Sequence, residues 1–514
     1  MQAELTEMLR RRGFLWPSFE IYGGVSGFYD FGPLGSLLRD NIIKKWKDLY
    51  IREEGYLQLE TPTLVPFEVL KASGHVDHFT DLMGECSSCG ESFRMSELMK
   101  EKGIEIEGIP KEEVEKLVKE KGIRCQKCGG ELVLSDFNIM FSTSIGPGSS
   151  KRAGFMRPET AQQIFIAFRR LFRYARGKLP LGVVTVGKGY RNEISPRQGV
   201  IRLREFTMAE AEVFFDPENP RPPEFHKVEN EKLRLLRANG ETVEITAGEA
   251  VRNGMVCNEM MAYQLSLAKR FLLSLGLRED LRFREQKPGE RAHYSSETWD
   301  LEVLTQQFGW VEVAGIAYRT DYDLSRHSSF SGVDLTVTVD GRKFFPHVLE
   351  PSFGIDRILY CVLEHSYTSD GKRQLLKLKP DLAPIQVGVF PLMPKEGLPQ
   401  KAQEIYRALR KRFSVMYDES GSIGRRYLRA DEIGVPYCVT VDYQTLQDGS
   451  VTIRDRDTTR QVRVHRELMQ VLSGLLSGEL KFEDAGTPFS SKEEEKEERE
   501  ECEHENSEGV RSRV

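Results

Sequence analysis

The stretch from Gly187 to Phe215, GKGYRNEISPRQGVIRLREFTMAEAEVFF, limits what this chain can fold into more than any other segment. It predicts two strands joined by a long charged turn. Val, Ile, Phe and Thr recur on both sides, the first strand starts upstream in LGVVTV, and Pro196 and Gly199 punctuate the turn. Strand side chains alternate between faces, so a second strand running through IRLREFTMAEAEVFF puts Arg202, Arg204, Phe206, Met208 and Glu210 on one face. Two guanidinium groups, a ring and a carboxylate make a poor core face. They suit a nucleotide, with forks for phosphate and a ring for a base. A solvated hairpin has the same composition, so the remainder of the chain must decide.

A chain of 514 residues predicts about two to four domains. No apolar run is long enough to cross a bilayer, and the charged start MQAELTEMLRRRGF lacks the apolar segment of a signal peptide. The expectation is a cytoplasmic protein. The net charge of −6 is misleading: residues 483–514 hold 12 acidic and 5 basic groups, leaving 68 basic against 67 acidic elsewhere. A near-neutral body with local basic surfaces remains compatible with a polyanionic partner. The acidic segment itself is expected to be a disordered tail.

Eight cysteines include two CxxCG pairs, Cys86/Cys89 and Cys125/Cys128, separated by the Lys/Glu-rich helical segment PKEEVEKLVKEKG. Each pair can turn two sulfurs toward one ion, and together they predict a closed, structural zinc site with four thiolate ligands. Such a site leaves no open coordination position for chemistry. The scattered remainder does not suggest a disulfide framework.

Residues 34–54 show helical periodicity ended by Gly55, and YLQLETPTLVP reads as an edge strand because Pro62 lacks a ladder donor. An amphipathic helix follows Pro158, with Ile164, Phe165, Phe168, Leu171 and Phe172 inward and Glu159 at its start. Residues 217–298 read as a polar, irregular insertion holding one good helix, EMMAYQLSLAKRFLLSLG. A strand to Tyr318, a strand pair to Glu350 and a helix over 351–366 come next. From about Pro384 strands and helices alternate as in a compact α/β domain. Arg412, Arg425, Arg426, Arg429, Arg454, Arg456 and Arg460 cluster there; a solvated face and a nucleic-acid surface are the two readings.

YRNE at 190–193 followed by RLREF at 202–206 resembles the second signature motif of class II aminoacyl-tRNA synthetases, and GIDR at 354–357 resembles the third. The helix and strand ending at Pro62 resemble the first, which usually builds a dimer interface. RPETAQ, GYRNEISPR, LREFTMAE, GWVEVAGIAYRTDYDL and HVLEPSFGIDR look like the glycyl-tRNA synthetases of the dimeric, archaeal and eukaryotic type, over roughly residues 1–480. GxxxxGK[ST] and GxGxxG loops are absent from the sequence.

The resemblance implies an α+β catalytic domain with a mostly antiparallel sheet, inserted subdomains and a C-terminal α/β anticodon-binding domain. The expected boundaries are 1–75 for the first catalytic segment, 76–150 for the four-cysteine insertion, 151–216 and 299–380 for the other catalytic segments, 217–298 for the second insertion, 384–482 for the anticodon domain and 483–514 for the tail. It implies a homodimeric glycine–tRNA ligase that uses ATP with Mg2+ to form glycyl-adenylate, then charges tRNA. Arg191 would bridge the α-phosphate and the glycine carboxylate, with Asn192 beside it. Glu193 would accept from the adenine amino group, Phe206 and Arg357 would cover the two faces of adenine, and Arg202 would hold the γ-phosphate. Glu312, Val313, Leu203 and Gly354 complete the nucleotide positions, Glu312 as a magnesium ligand. Arg191, Arg357 and Glu312 would carry the catalysis. Glu159, Glu210, Glu350, Ser352 and Arg94 match glycine contacts. Other class II synthetases and a non-catalytic, nucleic-acid-binding paralogue are the alternatives. The presence of every ATP residue argues against the paralogue, and the three glutamates argue against another amino acid.

Overall fold

The structure is a computed structural model that describes residues 2–106, 109–196, 199–277 and 281–489. The predicted strand pair is present as Leu181–Tyr190 and Glu205–Phe215, antiparallel, with Tyr190 opposite Glu205. The second strand begins later than the pattern suggested. Gly199–Ile201 is a 3-10 turn, so Arg202 and Arg204 precede the pleat and do not share its alternation.

The described residues divide into two compact units, one within 15–31 and 42–365, the other within 2–14, 32–41 and 366–489. The first unit is organised on a nine-stranded sheet. In chain order its strands are β1 Leu57–Gln58, β2 Leu181–Tyr190, β3 Glu205–Phe215, β4 Lys232–Leu236, β5 Thr242–Thr246, β6 Leu281–Glu285, β7 Glu297–Thr305, β8 Gly309–Thr320 and β9 His347–Gly354. In space they run β5-β4-β6-β7-β8-β9-β3-β2-β1. All neighbours are antiparallel except β1 with β2 and β4 with β6.

Two expectations change here. Residues 217–298 are not irregular: they supply β4, β5 and β6, the three strands at one edge of the nine-stranded sheet. Their helix α2, Glu259–Ser274, is capped by the Asn258 side chain accepting from Met261 N at 2.9 Å. Eleven of its residues are buried, which makes it a core helix rather than a surface one. Phe271 meets Phe353 of β9 edge-on at 5.5 Å, and Trp46 reaches the same ring at 6.1 Å. Burying each such side chain contributes about 1.5–3 kcal/mol. The segment YLQLETPTLVP also splits, because Leu57–Gln58 joins this sheet while Leu64–Pro66 pairs with Arg152–Met156 in a separate three-stranded sheet. β9 extends to Gly354, so the helix expected from 351 starts at Ile355.

Alternation makes the central strands two-faced. Phe353 lies opposite Ala209, on the face covered by α2, whereas Ser352 lies opposite Glu210 on the other face. At Phe214 that second face is packed by helix α1, Gln162–Tyr174, which sets Phe168 4.6 Å away. Beyond Phe214 it turns polar, with Glu212 and Glu210 buried and a cavity opening over the strands from Glu210 onward.

The four-cysteine region is a three-stranded sheet of Thr80–Cys86, Ser92–Arg94 and Leu132–Asn138 with helices Met95–Lys100 and Lys111–Glu120. It has its own core of Phe93, Met95, Met99, Val114 and Leu134.

The second unit holds a six-stranded sheet, Val415–Tyr417, Val387–Pro391, Tyr437–Val441, Val451–Asp455, Gln461–Val464 and Thr487–Phe489 in spatial order. The first three strands are parallel and the rest antiparallel. The N-terminal helix belongs with it: Arg12 Nε donates to Glu432 at 2.5 Å. Residues expected to open the acidic tail are instead part of this sheet. Phe482–Asp484 is a 3-10 turn, Ala485 is buried, and Thr487–Phe489 is the edge strand. The remainder of the tail, from residue 490, lies outside the described residues.

Candidate active site

A cavity of about 670 Å³ opens over the polar face of β3, β7, β8 and β9. Its floor is a row of directly paired residues. Asp300 faces Gly315, Gly315 faces Ser352, Ser352 faces Glu210, and the next row pairs Thr298 with Ala317 and Ala317 with Glu350. Acids therefore flank a strip of Gly, Ala and Ser. A Cβ added to Gly315 would meet nothing within 4 Å, so the strip is a real depression.

One end of the cavity is an acid cluster. Glu210 is buried; its Oε2 accepts from the Thr160 N–H at 2.7 Å and from the Thr160 hydroxyl, and its Oε1 accepts from Ser352 Oγ at 2.7 Å. Glu159 Oε2 contacts His75 Nε2 at 3.2 Å, and its Oε1 accepts from Gln162 Nε2 at 2.8 Å. Glu350 accepts from Arg319 Nη1 at 2.8 Å. Arg319 has no exposed surface; it also donates to both oxygens of Asp323 and lies 3.6 Å from the Tyr294 ring centroid. Burial pushes Glu350 up to about 8 against the attraction of Arg319. Burial and neighbouring Glu159 raise Glu210, whereas His75 and Arg319 overcome the burial of Glu159 and hold it low.

The other end carries rings and guanidinium groups. The Arg191 guanidinium lies 5.4 Å from the Phe206 ring and 5.3 Å from Phe79, and its Nε donates to Pro158 O. Arg357 donates to Ile201 O and Glu312 O and stands 3.5 Å from the Glu312 carboxylate. Arg202 is in close ion-pair contact with Glu97 and lies 3.7 Å from Glu193. Its pKa falls to about 10, through burial first and then the charges of Arg94 and Arg357. Burial raises Glu193, whose Oε2 has no hydrogen-bond partner among the described residues.

Of the residues singled out in the sequence, Glu159, Arg191, Glu193, Arg202, Leu203, Phe206, Glu210, Glu312, Val313, Glu350, Ser352, Gly354 and Arg357 line this one cavity. Asn192 lines an adjoining cavity with Ser195 and Arg204. Arg94 lines a third, beside Glu97 and Arg202, with its guanidinium on Asp81 at 2.8 Å. Arg204, grouped with Phe206 by alternation, instead donates to Ser26 O and to Glu193 O. The sequence reading missed Phe79, Asp300, Tyr294 and Arg319. Asp300 is held by Arg284 at 2.5 Å and Gln286 at 2.7 Å, and is pushed up to about 8 by burial and by Glu312. The i,i+4 spacing of Arg319 and Asp323 was a readable signal; the cross-strand neighbours were not.

The four cysteine sulfurs converge within 4.8 Å, with Cys86 to Cys128 at 3.4 Å and Cys89 to Cys125 at 3.6 Å. Tetrahedral zinc with bonds of about 2.3 Å to sulfur needs sulfurs about 3.8 Å apart, so the donor set fits that ion. The C-terminal arginine cluster largely dissolves. Arg426, Arg454 and Arg456 are buried; Arg454 pairs with Asp431, Arg456 with Asp457, and Arg426 donates to Pro391 O and Gly421 O. Arg429 pairs with Asp418, and Arg460 with Glu483. Only Arg412 and Arg425 of the seven remain as exposed cations without an ion pair shown to another side chain among the described residues. Among those residues no helix is long and apolar enough to cross a membrane.

An antiparallel sheet with a polar face, an Arg-ring-Glu arrangement at one end and arginines on the loop and helix at either side define a class II aminoacyl-tRNA synthetase core. The family model for the tRNA synthetase class II core domain (G, H, P, S and T) matches residues 148–366, and that for an anticodon binding domain matches 386–472. The chain is 47% identical to the glycine–tRNA ligase of Pyrococcus horikoshii, over 92% of this chain and 98% of that one. It is 46% identical to that of Methanocaldococcus jannaschii over 90% and 96%. The chain belongs to the glycine–tRNA ligase family.

Proposed function

We propose that this chain activates glycine with ATP and transfers it to the 3′ end of tRNA, and that the acid-flanked strip of Gly315, Ala317 and Ser352 is the glycine site. The observation that carries this is the cross-strand placement of Glu210 beside Ser352 and of Glu350 beside Ala317, with Glu159 lining the same cavity, around a strip of small side chains. Carboxylates attract an ammonium group, and a shallow floor leaves room for an α-carbon with no substituent. Rejection of alanine then rests on steric overlap, a stronger discriminator than a missing methyl contact.

At the opposite end Phe206 and Arg357 are proposed to hold adenine between them, with Glu193 accepting from its amino group through Oε2, which accepts no hydrogen bond among the described residues. Arg202 is proposed to take the γ-phosphate, leaving Glu97 as it does so, with Leu203, Val313, Gly354 and Asn192 shaping the nucleotide's surroundings. Arg191, which lines the same cavity, is proposed to bridge the glycine carboxylate and the α-phosphate, where a cation already in place would stabilise the charge developing on that phosphate. Glu312 is proposed as the carboxylate ligand of the magnesium that accompanies ATP. Arg94 reaches the site through its neighbour Arg202. The side chains named here position and stabilise; none acts as a covalent nucleophile.

Cys86, Cys89, Cys125 and Cys128 are proposed to hold one structural zinc, which fastens the two turns of their subdomain. The C-terminal unit is proposed to bind the anticodon end of tRNA, and the protein to act as a cytoplasmic homodimer. The exposed apolar run of Phe19, Ile21, Tyr22 and Val25 supports a covered surface. ATP–pyrophosphate exchange measured with each of the twenty amino acids tests the central assignment. Glycine alone should drive exchange; exchange driven by another amino acid and not by glycine would overturn it.

A further inference from the structure

Beneath the cavity floor lies a carboxylate with no stated role. Glu212 follows Glu210 on the same face of β3, has no exposed surface, and neither of its oxygens has a hydrogen-bond partner among the described residues. It faces Glu350 on β9, Arg319 on β8, Glu210 on its own strand and Asp323 on the helix Tyr322–Ser331. Glu159 lies one contact further, 3.7 Å from Arg319 and 3.2 Å from His75. His327, which shares Gln162 with Glu159, is drawn down to about 4 by burial and is neutral at working pH. Five buried carboxylates thus gather around the buried guanidinium of Arg319, with buried Arg157 near Glu210 and His75 3.2 Å from Glu159 as the other basic groups. The acids outnumber these basic groups, so full ionisation would leave uncompensated charge in a desolvated volume, at a cost of several kcal/mol for each unpaired ion. A cluster of this composition must retain protons.

We propose that this cluster holds protons in the empty enzyme and surrenders one to solvent when the glycine ammonium group arrives, so that amino-acid binding is an exchange of a cation for a proton. The inference rests on placing glycine at Glu210 and Glu350. Glu212 is the permanent acid: it is too deep for the ligand, and burial with the adjacent Glu350 raises it well above the usual carboxylate range. The proton that leaves is shared by Glu350 and Glu210, the two acids at the floor itself. Below about pH 8 Glu350 is protonated in the empty pocket and must ionise to pair with the ammonium. Glycine affinity therefore rises with pH, approaching about tenfold per unit, and flattens above about 8 as the proton is already gone.

Calorimetric titration of the full chain with glycine near neutral pH, in phosphate and in Tris, reads the exchange directly. The two buffers differ in ionisation enthalpy, so release of roughly one proton per glycine shifts the apparent binding enthalpy by that difference. Glycine that binds with the same enthalpy in both buffers, and with pH-independent affinity from 6 to 8, overturns the linkage while leaving the site assignment intact. Glycine that binds in neither buffer overturns the site assignment as well. Glu350→Gln supplies a second reading: the fold and ATP affinity should survive, glycine affinity should fall, and proton release should drop to less than half. Undiminished release in that variant would remove the exchange from this cluster.

Discussion

Replacing Glu210 with Gln keeps the shape of the side chain and removes its charge. In the structure the carboxylate accepts from the Thr160 N–H, the Thr160 hydroxyl and the Ser352 hydroxyl. An amide can still accept from Thr160 with its oxygen and donate to Ser352 Oγ with its nitrogen, so each contact keeps a partner and the loss is one of charge assistance. Against the ammonium of glycine the change is larger. A unit charge at about 4 Å in surroundings of effective dielectric about 20 is worth about 4 kcal/mol. Part of that attraction is already spent ionising Glu210, which burial and Glu159 raise in the empty pocket. A net loss of about 1.5–3 kcal/mol remains, which is about 10- to 150-fold in glycine affinity. Pyrophosphate exchange with glycine and ATP titrated separately should show the glycine KM rising by that factor and the ATP KM within about threefold. An unchanged glycine KM would remove Glu210 from the pocket. A parallel loss for both substrates with a lowered Tm would make it a structural carboxylate.

Other variants follow from the same geometry. Gly315→Ala adds a methyl that touches nothing in the protein, so stability should be unchanged while the glycine KM rises at least tenfold; an unaffected KM would move the amino acid off the strip. Arg191→Ala removes the cation nearest the reacting centre and should cost about 10²–10³ in exchange rate with the fold intact by circular dichroism. Near-normal exchange would refute its role. Metal analysis of the purified chain should find one zinc per chain, lost on Cys86→Ser with a lower Tm; a zinc-free protein with four titratable thiols would refute the site. Arg412→Glu with Arg425→Glu should raise the tRNA KM and leave glycine-dependent exchange alone, whereas unaltered charging would put the tRNA contact on another surface.

The catalytic end of the site was readable because its residues are spaced along single elements: Arg191 and Glu193 flank one turn, and Phe206 and Glu210 alternate on one strand. The same alternation extends to Glu212, where the sequence reading stopped. Gly315, Ala317 and Asp300 take their meaning only from pairing across strands, which no local pattern states. The polar segment 217–298 was misread because KLRLL and LRFRE carry two and three charged residues of five, yet both alternate buried and more exposed positions as a strand with one covered face does. The C-terminal arginines misled for the opposite reason: long side chains near one another in sequence were buried on Asp431 and backbone carbonyls rather than turned outward.

Charging of tRNA by the full chain with labelled glycine, alanine and serine, each alone with ATP and magnesium, tests the central claim most directly. The account predicts that glycine is esterified to tRNA while alanine and serine stay near background, because a side chain at the α-carbon would overlap the strip between Glu210 and Asp300. Alanine or serine charged as fast as glycine, or no charging with any of the three, would contradict it.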